Sequence, residues 1–129
     1  MTITELKTTI KSIIEKATEL KDKHTDEINA PVNYACIFSQ NEGEFNELTT
    51  LTKKLGTRIK ETSTGPIFKL TNEISTVSGR LKLLKIRFPD PTRPERGDAD
   101  FTIANFAEFE EKYLPRKEFK ITKNQISTC

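Results

Sequence analysis

Tyr34, Lys85, Arg87, Asp100 and Thr102 are the residues whose types and spacing suggest chemistry. Each falls in a stretch that alternates apolar with polar side chains, and successive strand side chains point to opposite sides of a sheet. From Leu81 to Phe88 the alternation predicts Lys82, Leu84, Ile86 and Phe88 on one face. Leu81, Leu83, Lys85 and Arg87 take the other, which turns from apolar to basic along its length. A Lys and an Arg two apart can hold a carboxylate or phosphate, the Arg through two parallel hydrogen bonds. Tyr34 and Thr102 can orient such a ligand, and Asp100 can act as a base or neutralise Arg87. Arg58 is a further candidate neighbour. The rival reading is an Arg87–Asp100 salt bridge on a solvated sheet face, a common arrangement in antiparallel sheets.

Other chemistries lack their residues. His24, the sole histidine, lies at a helix end among Lys and Asp and reads as solvated. A Ser or Cys triad would need a histidine in the site. There is no glycine loop of the phosphate-cradling kind. Cys36 and Cys129 are too few and too far apart for a disulfide framework or a zinc site, and Cys36 reads as a small buried hydrophobe.

The elements that must position the candidates follow from pattern. Ile3, Leu6, Ile10, Ile13, Ile14, Ala17 and Leu20 recur at three and four, predicting a helix from residue 3 to about 22. Thr2 and Glu5 have capping-box spacing, and Lys16, Lys21 and Lys23 favour the helix dipole near its C-terminal end. The apolar stripe either covers the core or forms a dimer contact. His24 to Pro31 is a linker. Val32 to Phe38 is a strand, and Asn41 to Leu55 a helix with Gly56 as its terminator. Thr57 to Thr62 is an edge strand and Ile67 to Leu70 the next. Thr71 to Ser78 reads as a polar connection. After the strand at Leu81, Pro89, Pro91 and Pro94 forbid helix and central strand alike. Ala99 to Ala104 is then a strand, Phe106 to Tyr113 a helix, and Glu118 to Thr122 a strand. The expected fold is α+β: an N-terminal helix (1–28), a βαβββ unit (32–90) and a partial second βαβ unit (98–129), forming one domain with a mostly antiparallel, curved sheet.

Composition narrows the classes. A chain of 129 residues is one domain by prior, and 34% hydrophobic residues suffice for a core without excess. The net charge of +2 comes from interleaved acids and bases. Nucleic-acid binders concentrate basic residues on one face or arm, so nucleic acid is not expected as a partner. No apolar run approaches the ~20 residues of a membrane span, and the N-terminus lacks a secretory layout. A cytoplasmic location is expected.

The order of elements resembles that of the vicinal oxygen chelate superfamily, which includes glyoxalase I and the extradiol dioxygenases. VNYACIF stands where such proteins carry a first strand, and a helix ending LG follows. The ET..GPIFKL segment resembles their glycine-turn hairpin. LKLLKIRFPDP resembles their fourth strand, and RGDADFTI the opening strand of a second unit. The resemblance spans roughly residues 32 to 122 and rests on order, turns and alternation. It implies tandem βαβββ units around a cup that holds a divalent metal. By position the metal ligands would fall at Tyr34, near Arg87 and near Asp100. Arg cannot ligate a cation, and a phenol with one carboxylate is a poor donor set. The expectation is therefore a glyoxalase-like protein without metal or other cofactor, binding a small anionic molecule. The second unit reads as short by about two strands, which implies a homodimer. The alternative is a non-catalytic interaction module using the N-terminal helix or an open sheet edge.

Overall fold

In the computed structural model the described residues are 1–103, 120–122 and 125–127. Helix α1 spans Ile3–His24, and strand β1 spans Val32–Phe38. Helix α2 (Glu42–Leu55) precedes β2 (Gly56–Thr62), β3 (Gly65–Thr76) and β4 (Gly79–Arg87). Then come β5 (Gly97–Thr102), β6 (Lys120–Thr122) and β7 (Gln125–Ser127). The strands form one sheet in the order β2-β3-β4-β1-β5-β7-β6. Only β1 and β4 run parallel; the other pairs are antiparallel. The α+β class and the βαβββ order hold as the pattern predicts. The helix expected over Phe106–Tyr113 lies outside the described residues. Strand β7 has no counterpart in the sequence reading, and it sits between β5 and β6.

Both helices start as their capping signals require. Thr2 Oγ1 accepts the Glu5 N–H at 3.1 Å, and Asn41 Oδ1 accepts the Glu44 N–H at 2.8 Å. The α1 stripe is spent inside the chain: Leu6, Ile10 and Ile14 are fully buried and pack on β1 and β5. Helix α2 covers β2, β3 and β4 with Leu48 at its centre. Thr52 belongs to this buried stripe because its hydroxyl bonds back to the Leu48 carbonyl at 2.7 Å. Ala35, Ile37, Phe68, Leu84, Ile86, Ala99 and Phe101 complete the core.

Two local expectations need correction. Thr71–Ser78 is not a polar connection, because β3 continues to Thr76 before a tight turn into β4. Gly56 is not a left-handed terminator: its φ is −171°, which is extended backbone. Its glycine is needed because a Cβ there would run into the Lys69 carbonyl of β3. Lys21 stands in the last turn of α1 as expected, and it is fully buried. Its Nζ pairs with Asp22 at 2.7 Å and donates to the carbonyls of Glu27 and Ile28, so it pins the linker that follows α1.

The alternation read along β4 also breaks. Lys69 pairs with Leu83 and Ile74 with Leu81, so four residues of β3 lie opposite Lys82 alone. Leu81 turns into the core with no exposure while Lys82 turns to solvent, the reverse of the faces expected. Beyond that bulge the register is regular and Leu84 and Ile86 point inward as predicted. Phe88, expected with them, is 42% exposed and rests on Phe45 with ring centres 5.0 Å apart.

Candidate functional site

Helices α1 and α2 cover one face of the sheet, and no helix among the described residues covers the other. Strand register determines what that second face carries. Across β1, Tyr34 pairs with Leu83 on β4 and Asp100 on β5. One step along, Cys36 pairs with Lys85 and Asp98, and Phe38 pairs with Arg87. Tyr34, Lys85, Arg87 and Asp100 therefore share one patch, with the bases on β4 and the acids on β5. Neighbouring strands lie about 4.8 Å apart, so the two rows of charge are separated by roughly 10 Å across β1. Thr102 extends the same face of β5 but lies exposed, away from the Arg87 end.

Arg58 does not join them. It stands on the edge strand β2 opposite Phe68, over whose ring its guanidinium sits at 5.6 Å, and it pairs with Glu61 at 2.6 Å. Phe68 belongs to the helix-covered core, so Arg58 is on the wrong face. The register shift after Arg58, which leaves Ile59 without a partner, could not be read from TRIKET.

The Arg87–Asp100 bridge is replaced by two other pairings. Arg87 reaches Asp90 at 3.3 Å and lies 5.0 Å from the Phe38 ring centre. Arg93 approaches the same ring at 4.9 Å, so two guanidinium groups sit on one aromatic side chain. Asp90 also accepts from the Thr92 N–H at 2.9 Å and the Thr92 hydroxyl at 2.7 Å. These bonds, with Arg87 and Arg93 nearby, hold its carboxyl below the usual range. Arg96 ties the far end of the loop to α2 by pairing with Glu44 at 2.5 Å and donating to the Phe38 carbonyl at 3.3 Å. The proline segment is thus a fastened strap between β4 and β5.

The phenol of Tyr34 donates to the Asp100 carboxylate. Burial, and then the Asp100 charge, push the Tyr34 phenol well above its ordinary value. Burial, followed by the Asp98 charge, does the same to the Cys36 thiol. Cys36 is 4% exposed and unsuited to nucleophilic work, as its reading as a buried hydrophobe anticipated.

The metal that the resemblance implies does not fit these residues. Tyr34 keeps its proton and spends it on Asp100, the carboxylate that would have to ligate. The third position holds Arg87, whose fixed charge opposes a cation. Elsewhere, a groove of about 540 Å³ opens at the β3 bulge between Asn33, Lys69, Glu73, Arg80 and Lys82. Its three cations escaped the sequence reading because strict alternation put Lys82 on the core side. The polar run Thr71-Asn72-Glu73 was the available sign of a bulge.

The fold and face together define a small α+β protein with a mixed-charge sheet face that lies opposite α1 and α2. Compared with protein-family models, curated proteins and solved structures, the chain matches none of them. No helix among the described residues is long and apolar enough to cross a membrane.

Proposed function

We propose that the protein binds a small anionic molecule on the sheet face opposite α1 and α2, without a metal, in the manner of an outlying glyoxalase-like protein. The observation that carries this reading is the register of β1. It sets Tyr34 and Cys36 between Leu83 and Lys85 on one side and Asp100 and Asp98 on the other. Lys85 and Arg87 receive the anionic group, and the Arg87 guanidinium offers a planar fork already oriented by the Phe38 ring. The Tyr34–Asp100 pair borders the ligand and fixes its orientation. Nothing in this arrangement requires a reaction, and binding is the activity proposed.

A homodimer belongs to the same proposal. The β2 edge carries Arg58, Lys60 and Glu61 and a register shift, features that discourage strand addition. Among the described strands, the opposite edge is β6, and it is where a second copy would add.

Thermal-shift screening against small carboxylates, phosphates and divalent metals tests the reading. Stabilisation by an anion, lost in Arg87→Ala, supports it. Stabilisation by a metal returns the metal-dependent alternative, and silence across the panel favours an interaction module.

A further inference from the structure

The groove at the β3 bulge adjoins the patch around Tyr34 and Arg87 and shares Leu83 with it. Its origin is physical. Leu70 and Ile74 are both held in the core, 5% and 6% exposed. The chain between them must pass a single residue of β4, Lys82. The extra length pushes Glu73 and Lys82 apart from the regular ladder, leaving their carboxylate and amine 4.0 Å from each other. Lys69 and Leu83, cross-strand partners, close one end, and Asn33 of β1 lies alongside. The charged side chains of the lining are Lys69, Arg80, Lys82 and Glu73. Positive charges thus outnumber negative by two within one concavity of about 540 Å³. Bulges recur beside binding sites because they re-aim side chains, and this one re-aims Lys82 from the core side to solvent.

We propose that this groove is an oxyanion site for a ligand of the phosphate class, carrying two or more negative charges. The Arg80 guanidinium matches a phosphate through two parallel hydrogen bonds, and Lys69 and Lys82 supply point charges. The Asn33 amide adds a neutral donor. A monocarboxylate leaves the charge excess half satisfied, so a dianion is the better match.

The test is an amide chemical-shift titration of the full chain with inorganic pyrophosphate at low ionic strength. Saturable shifts are expected at Asn33, Lys69, Glu73 and Leu83, weakening as salt is added. The Arg80→Gln/Lys82→Gln double variant should raise the Kd about tenfold, a loss of about 1.4 kcal/mol. Glu73→Gln should tighten binding at these groove residues. The substituted side chains Glu73, Arg80 and Lys82 line the groove surface, so folding is not at stake. Shifts that never saturate, or an unchanged Kd in the double variant, overturn the proposal. Shifts centred on Lys85 that vanish in Arg87→Ala also overturn it, while upholding the separate sheet-face reading.

Discussion

The Nζ of Lys21 lies 5.2 Å from the ring centre of Phe101, with the whole lysine side chain shut off from solvent. A helix-end lysine thus acts as a clasp, joining α1, the linker carbonyls of Glu27 and Ile28, and the middle of β5. Removing it leaves two part-buried carbonyl groups without their donor. Lys21→Ala should cost roughly 2–4 kcal/mol, combining a cavity with unsatisfied acceptors. Urea unfolding measures this. Lys21→Met, which keeps volume but no donor, should recover only part of the loss.

Stability should fall in alkali through two particular groups. The ordinary values are 9.0 for the Cys36 thiol and 10.0 for the Tyr34 phenol, and both rise in the fold. Above pH 9 the unfolded chain releases protons that the folded chain retains. The folded state then binds more protons, so their stabilisation is complete below that pH and declines as pH rises. Unfolding midpoints taken between pH 7 and pH 11 should decline, with a shallower slope in Tyr34→Phe. An unchanged slope in that variant would remove Tyr34 from the account.

Gly56 tests a close approach rather than a turn. Because its backbone is extended, alanine carries no conformational strain there, only the collision with the Lys69 carbonyl. Gly56→Ala should destabilise by roughly 1–3 kcal/mol, as overpacking does. A neutral outcome would show that β2 can move away from β3 freely.

The fold was legible wherever one side of an element decides its pattern. The α1 stripe, the Asn41 cap and the β1 alternation survive because each is a local response to a single buried face. What failed was non-local. Leu81 and Lys82 exchange faces because β3 carries extra residues opposite them, a property of pairing that β4 does not record and β3 signals only through the polar run Thr71-Asn72-Glu73. Lys21 is buried because the linker folds back over it, and a helical wheel marks only its position near the stripe. For the candidate site, alternation alone placed Tyr34, Lys85, Arg87 and Asp100 on one face. Their partners were not readable: Arg87 finds Asp90 through a turn held by Thr92, and Tyr34 finds Asp100 through strand order.

Anion binding by the patch around Tyr34, Lys85 and Arg87 is the proposal on which the functional reading stands. The most direct measurement is an amide chemical-shift titration with a small dicarboxylate such as succinate, run on the wild-type chain and on Arg87→Ala. Saturable shifts are expected at Tyr34, Cys36, Lys85 and Asp100 and should disappear in the variant. Shifts elsewhere, or shifts at these residues that persist in Arg87→Ala, would contradict the proposal.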